Sequence, residues 1–398
     1  MSRRQSDGRR PRAFRSALIA LPVVVVLAAA GCSSSGPAPT STPTTSSTPA
    51  DPLGTWDTAL ADRTHAAANW VAVGDSLSEG QGASARSDRW IDLTLADLRA
   101  ANPTTGAPGG VGYLPAQFAV YAPDSTWGDW STAHSGDSAF DDTIPDLGYR
   151  ALSMQAGATR TYRFTGTDLD IWWTRYQGSG EFTYAIDDGA TKSVDTDGSD
   201  SASQLTAVHG LSSGEHSVTI TAKGAFDLQG LTVRNGDRGK GITLFDATHS
   251  GATVALFTKD TDGFLGAMRR AAPDLVTITL GGNDAQVVTA AEFRSRYTAF
   301  VRRIQALPTK PSVLVIGEQQ PSATELKTVK SSWSAYERAM RSVASTTGSA
   351  YVDLASVFPP GDGSTPRKGI STTDQLHPND EGQRMLAEAV TAALEGKD

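Results

Sequence analysis

A serine, a histidine, an aspartate and an asparagine stand in this sequence at positions that could together carry out nucleophilic catalysis. Ser76 follows an apolar run at 70–73 and a glycine, which predicts a serine just past the carboxyl end of a buried strand. Asp374 precedes His377 by three residues, close enough for the carboxylate to orient the imidazole. Because a serine hydroxyl needs a base to become nucleophilic, these residues predict a catalytic triad. Asn283 ends another apolar strand, and its amide could donate to an oxyanion.

Each of these residues also has an ordinary structural interpretation. Ser76 could cap the segment that follows its strand, and Asn283 could close a strand-end turn. Asp374 and His377 could lie in a surface turn before a helix. The presence of all three segments in one chain favours the catalytic interpretation over these alternatives.

Three motifs resemble signature blocks of the SGNH (GDSL) hydrolase family. They are Gly-Asp-Ser-Leu at 74–77, Gly-Gly-Asn-Asp at 281–284 and Asp-Gln-Leu-His at 374–377. A further block of the family carries a glycine, and the stretch 249–253 is similar to it, which implies a role for Gly251. The resemblance covers roughly residues 68–125 and 238–395. It implies an oxyanion hole made by the backbone N–H of Ser76, by Gly251 and by Asn283.

The turn around Ser76 differs from the Gly-x-Ser-x-Gly elbow of α/β-hydrolases, because Ser78 occupies the last glycine position. Strands are predicted at 69–74, 242–246, 274–280, 311–317 and 350–354, and helices at 88–101, 291–307, near 333–343 and near 385–393. This alternation predicts a parallel sheet covered on both faces. The resemblance adds that the fold is a three-layer α/β/α hydrolase fold.

The segment between the two α/β parts has a different pattern. From 149 to 234, short alternating runs are separated by turns, which predicts an inserted antiparallel β-sandwich. The predicted domains are a signal peptide with lipobox (1–32), a Ser/Thr/Pro-rich linker (33–55), the first part of the hydrolase domain (56–125), the inserted β-sandwich (126–237) and the second part of the hydrolase domain (238–398).

Three aromatic residues near the start of the insertion are candidates for stacking on a sugar. Trp127 and Trp130 lie in a glycine-rich loop, and Tyr113 ends the segment 109–113, which holds three glycines and is also predicted to be a loop. Flat rings pack well against pyranose faces, but aromatic residues of this kind are also common in protein cores. The insertion is accordingly predicted to have a carbohydrate-binding role.

The N-terminus has the composition of an export signal. Six arginines precede an apolar run at 17–30 that is shorter than the ~20 residues needed to span a bilayer. Cys32, the only cysteine in the chain, follows this run in a context that resembles a bacterial lipobox. A lipid on Cys32 would anchor the exported protein to the outer face of the membrane, with residues 33–50 as a tether. Ordinary signal-peptidase cleavage is the alternative.

Composition and charge narrow the function further. The formal net charge is −8, and residues 1–31 hold six of the 35 basic residues but one of the 43 acidic ones. The remainder therefore has no basic field to attract nucleic acid. The spacing of histidines and the lone cysteine does not indicate a metal site, and no glycine-rich phosphate loop or other cofactor motif is found.

Together these observations predict an exported serine esterase that removes short acyl groups, O-acetyl above all, from an extracellular glycan. Two alternatives stay open from the sequence. One is a lipase, phospholipase or acyltransferase that acts on cell-envelope lipids. The other is a non-catalytic glycan-binding lipoprotein in which the insertion does the binding.

Overall fold

The computed structural model describes residues 51–119, 128–199, 202–358 and 369–396. The α-helices, numbered in chain order, are α1 (Gly54–Asp62), α2 (Ser76–Glu79), α3 (Trp90–Ala101), α4 (Val254–Thr258), α5 (Thr261–Ala271), α6 (Gly282–Val287), α7 (Ala290–Gln305), α8 (Trp333–Thr347), α9 (Leu354–Val357) and α10 (Asp380–Leu394). Short 3₁₀ turns lie at Arg86–Asp88 and Glu325–Lys327.

The β-strands follow the same numbering. They are β1 (Ala68–Gly74), β2 (Gly112–Pro115), β3 (Ala133–Ser135), β4 (Ser138–Asp141), β5 (Ala151–Met154), β6 (Thr159–Thr165), β7 (Asp168–Arg175), β8 (Glu181–Ile186), β9 (Lys192–Asp195), β10 (Ala202–Val208), β11 (Glu215–Ala222), β12 (Phe226–Arg234), β13 (Ile242–Thr248), β14 (Leu275–Thr279), β15 (Ser312–Gly317) and β16 (Ala350–Asp353).

A parallel sheet forms the centre of the α/β part. Its strand order is β2-β13-β1-β14-β15-β16, with β1 between β13 and β14. The five strands predicted in the α/β part are confirmed as β1, β13, β14, β15 and β16, with ends shifted by one or two residues. The four predicted helices are confirmed as α3, α7, α8 and α10.

Helices cover both faces of this sheet because successive side chains of a strand point to opposite sides. On β1, Val71 and Val73 enter a core shared with α4, α5, α7 and α8. Trp70 and Ala72 enter a second core shared with α1, α3 and α10. The three-layer α/β/α fold class predicted from the sequence is thereby confirmed.

The inserted segment is antiparallel, as predicted. One of its sheets has the order β3-β6-β11-β8-β9. The facing sheet contains β10, β7, β12, β5 and β4, and a third hydrophobic core lies between the two. The predicted boundaries at 126 and 237 stay predictions.

The second sheet of the insertion is continuous with the central sheet of the α/β part. β12 pairs antiparallel with β2, and β2 pairs parallel with β13. The segment 109–113 was expected to be a loop, and this expectation was wrong, since β2 begins at Gly112. Gly112 has φ +77°, and a Cβ there would lie 2.0 Å from the carbonyl oxygen of Leu244, so glycine allows the close approach to β13.

Six further helices of the described ranges were not predicted from the sequence. They are α1, α2, α4, α5, α6 and α9. None of the helices in the described ranges is long and apolar enough to cross a bilayer. Cys32 and the predicted tether lie outside the described residues.

Candidate active site

Ser76 is held at the carboxyl end of β1 by a tight strand-to-helix turn. Asp75 caps α2, and its Oδ1 accepts a hydrogen bond from the backbone N–H of Leu77 at 3.0 Å. α2 begins at Ser76 and ends after one turn, where the N–H of Gly80 donates to the carbonyl of Ser76 at 3.1 Å. The serine is 8% exposed, so its hydroxyl faces a restricted space at the edge where α/β proteins bind ligands.

His377 lies directly beside this hydroxyl. Its Nε2 is 2.9 Å from Ser76 Oγ, and its Nδ1 is 2.6 Å from Asp374 Oδ2. An ionised carboxylate only accepts hydrogen bonds, so Nδ1 carries the ring hydrogen of the neutral imidazole. Nε2 is then the acceptor for the serine hydroxyl. The structure thus brings together the three residues that the sequence predicted as a triad.

Asp374 is fixed from several sides. Its Oδ1 accepts from the hydroxyl of Thr372 at 2.6 Å and from the backbone N–H groups of Leu376 and His377 at 2.9 and 3.0 Å. Partial burial would raise the pKa of Asp374, but the hydrogen bonds from His377 and Thr372 offset this and lower it well below 3.8. The carboxylate is therefore ionised at neutral pH.

Asn283 is oriented toward the serine turn by a neighbouring carboxylate. It lies in the first turn of α6, and its Nδ2 donates to Asp75 Oδ2 at 2.8 Å. The amide nitrogen has a second hydrogen that this bond does not use. Asp284 accepts from the backbone N–H of Val254 at 3.2 and 3.1 Å, which ties α6 to the loop after β13.

Gly251 lies in that same loop, which connects β13 to α4. The glycine is exposed and has φ +80°, and a Cβ there would meet no atom within 4 Å. It is not among the residues that line the cavity next to Ser76. Its assignment to the oxyanion hole stays a prediction from the family resemblance.

A small cavity of about 20 Å³ lies next to Ser76. Its lining combines the site residues with polar side chains from the segment after β15. The lining residues are Asp75, Ser76, Leu77, Gly282, Asn283, Glu318, Gln319, Pro321, Glu325 and Leu376. Glu318 and Gln319 were missed by the sequence analysis, since nothing in their local pattern distinguishes them from other polar residues after a strand.

Buried carboxyl groups surround Asn283. Burial raises the pKa of Asp75 and of Asp284 to about 7, and it raises the pKa of Glu318 well above 4.5. Glu318 Oε2 accepts from the backbone N–H of Gly282 at 2.7 Å. These groups make the environment of Asn283 sensitive to pH.

Of the three aromatic residues predicted to stack on a sugar, Tyr113 and Trp130 are not among the residues that line the cavity next to Ser76. Tyr113 is fully buried in β2, where its hydroxyl donates to the carbonyl of Gln229 at 3.0 Å, so its ring is part of the core and has no face free for a sugar. Trp130 is half-buried; its ring packs on Tyr162 and its Nε1 donates to Pro115 at 2.8 Å. Trp127 lies outside the described residues.

A metal is not indicated at this site, since the described residues contain no group of three or more His, Cys, Asp or Glu side chains placed to hold one.

The fold and the sequence blocks that build this site are those of a carboxylic ester hydrolase, and part of the chain matches a known hydrolase family. Residues 220–385 match the model of the GDSL-like lipase/acylhydrolase family, and the chain carries a domain of that family. The match includes Asn283 and His377 and leaves Ser76 outside it. A comparison with curated protein sequences finds no significant match.

The fold is shared by a solved structure. A structure described as a peptidoglycan O-acetylesterase in action has a TM-score of 0.66 at 17% identity, over 87% of this chain and 96% of that chain. A family two carbohydrate esterase from Cellvibrio japonicus has a TM-score of 0.29 at 14% identity, over 67% of this chain and 98% of that chain. A family two carbohydrate esterase from Clostridium thermocellum in complex with cellohexaose has a TM-score of 0.32 at 13% identity, over 66% of this chain and 99% of that chain. The latter two are too dissimilar overall to support an argument.

Proposed function

We propose that the protein is an exported serine esterase that removes acetyl groups from the hydroxyls of an extracellular glycan. The observation that carries the proposal is the continuous contact from Asp374 through His377 to Ser76 beside a small cavity. In the reaction, Ser76 Oγ attacks the ester carbonyl carbon while His377 Nε2 takes its proton. The carbon–oxygen bond to the sugar then breaks, and His377 gives that proton to the departing alcohol.

Water completes the cycle at the acyl-serine. His377 takes a proton from the water as its oxygen attacks the acyl carbon, and the proton returns to Ser76 as acetate leaves. The negative oxygen of each tetrahedral intermediate would be stabilised by the backbone N–H of Ser76, by Gly251 and by the second amide hydrogen of Asn283. Asp374 holds the histidine tautomer and stabilises the imidazolium that forms.

The size and polarity of the cavity support a short acyl group. A volume of about 20 Å³ has room for about one water-sized group, which suits the methyl of an acetyl ester. A long acyl chain would need an extended apolar groove, whereas the polar side chains of Glu318, Gln319 and Glu325 form part of this small lining. In the described part of the chain, Glu318 Oε1 and both amide atoms of Gln319 are buried without a hydrogen-bond partner. Groups of this kind suit a polar substrate better than a lipid.

The glycan is the class of alcohol that the comparisons favour. The solved structure with a TM-score of 0.66 is described as a peptidoglycan O-acetylesterase, and it extends over 87% of this chain. That span includes most of the residues assigned to the inserted sandwich. An acetylated cell-wall polysaccharide is therefore the first substrate to test.

The test compares wild-type protein with Ser76→Ala on acetylated polysaccharide and on nitrophenyl esters of increasing chain length. We expect acetate release by the wild type to fall by about 10⁴-fold or more in Ser76→Ala. Activity that survives this substitution would contradict the nucleophile. A preference for long chains would instead support a lipase that acts on envelope lipids, and acyl transfer to an added sugar would indicate an acyltransferase.

Export and anchoring form a separate part of the proposal. The apolar run at 17–30 followed by Cys32 supports a lipoprotein whose enzyme domain faces the cell envelope, with residues 33–50 as the tether. We expect the wild type to label with radioactive palmitate and to fractionate with membranes. Cys32→Ala should lose the label, and its retention would contradict lipidation at this residue.

A further inference from the structure

A network of buried charges lies beneath the serine turn. Arg150 Nη1 contacts Glu79 Oε1 at 3.0 Å, Arg150 Nη2 contacts Asp246 Oδ1 at 2.7 Å, and Arg89 Nη1 contacts Asp246 Oδ2 at 2.6 Å. All four side chains are fully buried. Buried ion pairs contribute little to stability relative to a well-packed apolar core, so a network of this size calls for a role beyond packing.

The charges in the network are compensated. Burial alone would raise the pKa of Asp246, but the positive charges of Arg150 and Arg89 more than offset this and lower it well below 3.8. Both guanidinium groups also lie over the ring of Phe118, whose centroid is 5.2 Å from Cζ of Arg89 and 5.3 Å from Cζ of Arg150. The arginines are thus held by their carboxylate partners and by contact with one aromatic ring.

Glu79 connects this network to the reaction site. It lies on α2, three residues after Ser76, so it belongs to the same helical turn as the proposed nucleophile. Its Oε2 accepts from the backbone N–H of Ser250 at 2.5 Å, and Ser250 directly precedes Gly251. Its Oε1 accepts from Arg150 and from the N–H of Ala119 at 2.6 Å. Both carboxylate oxygens are therefore occupied, one by the network and one by the loop proposed to supply an oxyanion donor.

The segment leading into β5 also contacts the loop at 249–251. The carbonyl of Gly148 lies 2.7 Å from Nδ1 of His249. A Cβ at Gly148 would come within 2.7 Å of the carbonyl oxygen of Thr248, so this turn packs directly against the end of β13. Tyr149 has φ +57°, a left-handed conformation that is unusual for tyrosine and that lies next to Arg150 in the chain.

We propose that Arg150 is a positioning residue of the esterase site: it holds the carboxylate of Glu79, and Glu79 fixes the loop at 249–251 so that the N–H of Gly251 faces the oxyanion. This inference rests on the proposed function of Ser76 and Gly251. It makes a residue from within the predicted insertion part of the support of the catalytic site. The insertion then has a role in the rate of the chemical step, apart from any role in glycan binding.

The experiment uses Arg150→Met, Arg150→Lys and Glu79→Gln in the full-length protein. The matched control is Arg160→Met, which removes another buried arginine of the insertion, one that contacts Asp129 at 2.6 Å and Ser138 at 2.8 Å. In Glu79→Gln, one carboxylate oxygen becomes an NH₂ group. Either the N–H of Ser250, or Arg150 together with the N–H of Ala119, then loses its hydrogen-bond acceptor. This variant keeps the size of the side chain and serves if Arg150→Met fails to fold.

We expect kcat on a nitrophenyl acetate to fall by about 10- to 100-fold in Arg150→Met and Glu79→Gln, with KM changed less than about threefold. Arg150→Lys should recover part of the loss, and Arg160→Met should keep kcat within about threefold of the wild type at temperatures below its Tm. Hydrogen exchange at 249–251 should become faster in Arg150→Met and Glu79→Gln, a change that general destabilisation in Arg160→Met would not produce.

The two proposals fail in different ways. A folded wild type without esterase activity on any ester would contradict the proposed function. An active wild type, with Arg150→Met and Glu79→Gln no slower than Arg160→Met, would overturn the positioning role alone. The same conclusion would follow if kcat fell while exchange at 249–251 stayed at the wild-type rate.

Discussion

At the scale of single residues, the chemistry depends on how each polar group is oriented by a neighbour. Asp374 fixes His377, and Asp75 fixes Asn283 through one of its two amide hydrogens. The second amide hydrogen is the one that could meet a developing oxyanion. The proposed oxyanion donor is therefore pre-oriented before substrate binds, which is the condition under which such donors contribute most.

Replacing Asn283 should reveal this contribution. We expect Asn283→Ala to lower kcat on an acetyl ester by about 10²- to 10³-fold, with little change in KM, because the amide acts on the transition state. Steady-state kinetics would measure the effect. Asn102→Ala provides the control, since Asn102 bonds the carbonyl of Leu98 at the end of α3 and does not line the cavity. A loss expressed mainly in KM would contradict the assignment.

A buried carboxyl group predicts how stability changes with pH. The pKa of Asp284 is raised by burial from 3.8 to about 7. The unfolded chain would release this proton near pH 4 and the folded chain near pH 7, so the free energy of unfolding falls as the pH rises between them, by on the order of a few kcal/mol. Asp284→Asn removes this titration. Denaturant unfolding should show that the stability of the wild type relative to Asp284→Asn decreases from pH 4 to pH 8; a constant difference would contradict the raised pKa.

At the scale of elements, the turn between β1 and α2 needs a glycine for reasons of space. A Cβ at Gly74 would lie 2.4 Å from Oγ and 2.7 Å from Cβ of Ser78, and 3.3 Å from the carbonyl oxygen of Thr279. The first glycine of the motif therefore lets the chain turn back over its own helix, which places Ser76 at the sheet edge.

Gly74→Ala should destabilise the protein by about 1–3 kcal/mol, because the added methyl forces the turn away from Ser78. In a double-mutant cycle, the further change Ser78→Gly removes the opposing atoms, so the double variant should lose less stability than the sum of the two single changes. Chemical denaturation of the four proteins measures this. Strict additivity would show that the clash lies elsewhere.

The elements themselves were largely predictable from local patterns. Two kinds of local pattern predicted burial correctly: apolar runs such as 70–73, and helical spacing such as that of Phe293, Tyr297 and Phe300. These residues are all fully buried in the structure. β2 and α5 were missed for different reasons. β2 is four residues long and begins at a glycine, so its local signal is that of a turn. In α5, Phe264, Met268 and Ala271 have helical spacing and are buried, so this helix was predictable from its own pattern.

The site was predictable only where a motif carried it. Ser76, His377 and Asp374 stand in short blocks with distinctive residue types, so their meeting could be inferred from sequence. Glu79 and Arg150 are 71 residues apart, and their contact depends on the path of the intervening chain. The burial of Tyr113 depends in the same way on the pairing of β2 with β12, which no periodicity around Tyr113 could indicate.

At the scale of the whole molecule, one sheet runs through both the α/β part and the insertion. The described residues between 51 and 396 form one compact unit, with β12 and β2 as the strands that join the two parts. Because one sheet is shared by the α/β part and the insertion, neither part forms a complete folded unit without the other. The two parts should accordingly lose their structure together.

Calorimetry would test this coupling. We expect a single thermal transition in which the calorimetric and van't Hoff enthalpies agree, as for one cooperative unit. The wild type and the matched control Arg160→Met should both behave in this way, since Arg160 lies within the insertion. Two separate transitions, or a van't Hoff enthalpy well below the calorimetric one, would show that the insertion unfolds independently.

The pairing of β12 with β2 also has a consequence for solubility. A sheet that stopped at β2 or β13 would expose unpaired backbone N–H and C=O groups along a strand whose residues are otherwise buried, which is a template for aggregation between molecules. The insertion covers this edge within the same chain. A shortened form without the inserted strands would therefore be expected to self-associate along its exposed sheet edge, even though it keeps Ser76, Asp374 and His377.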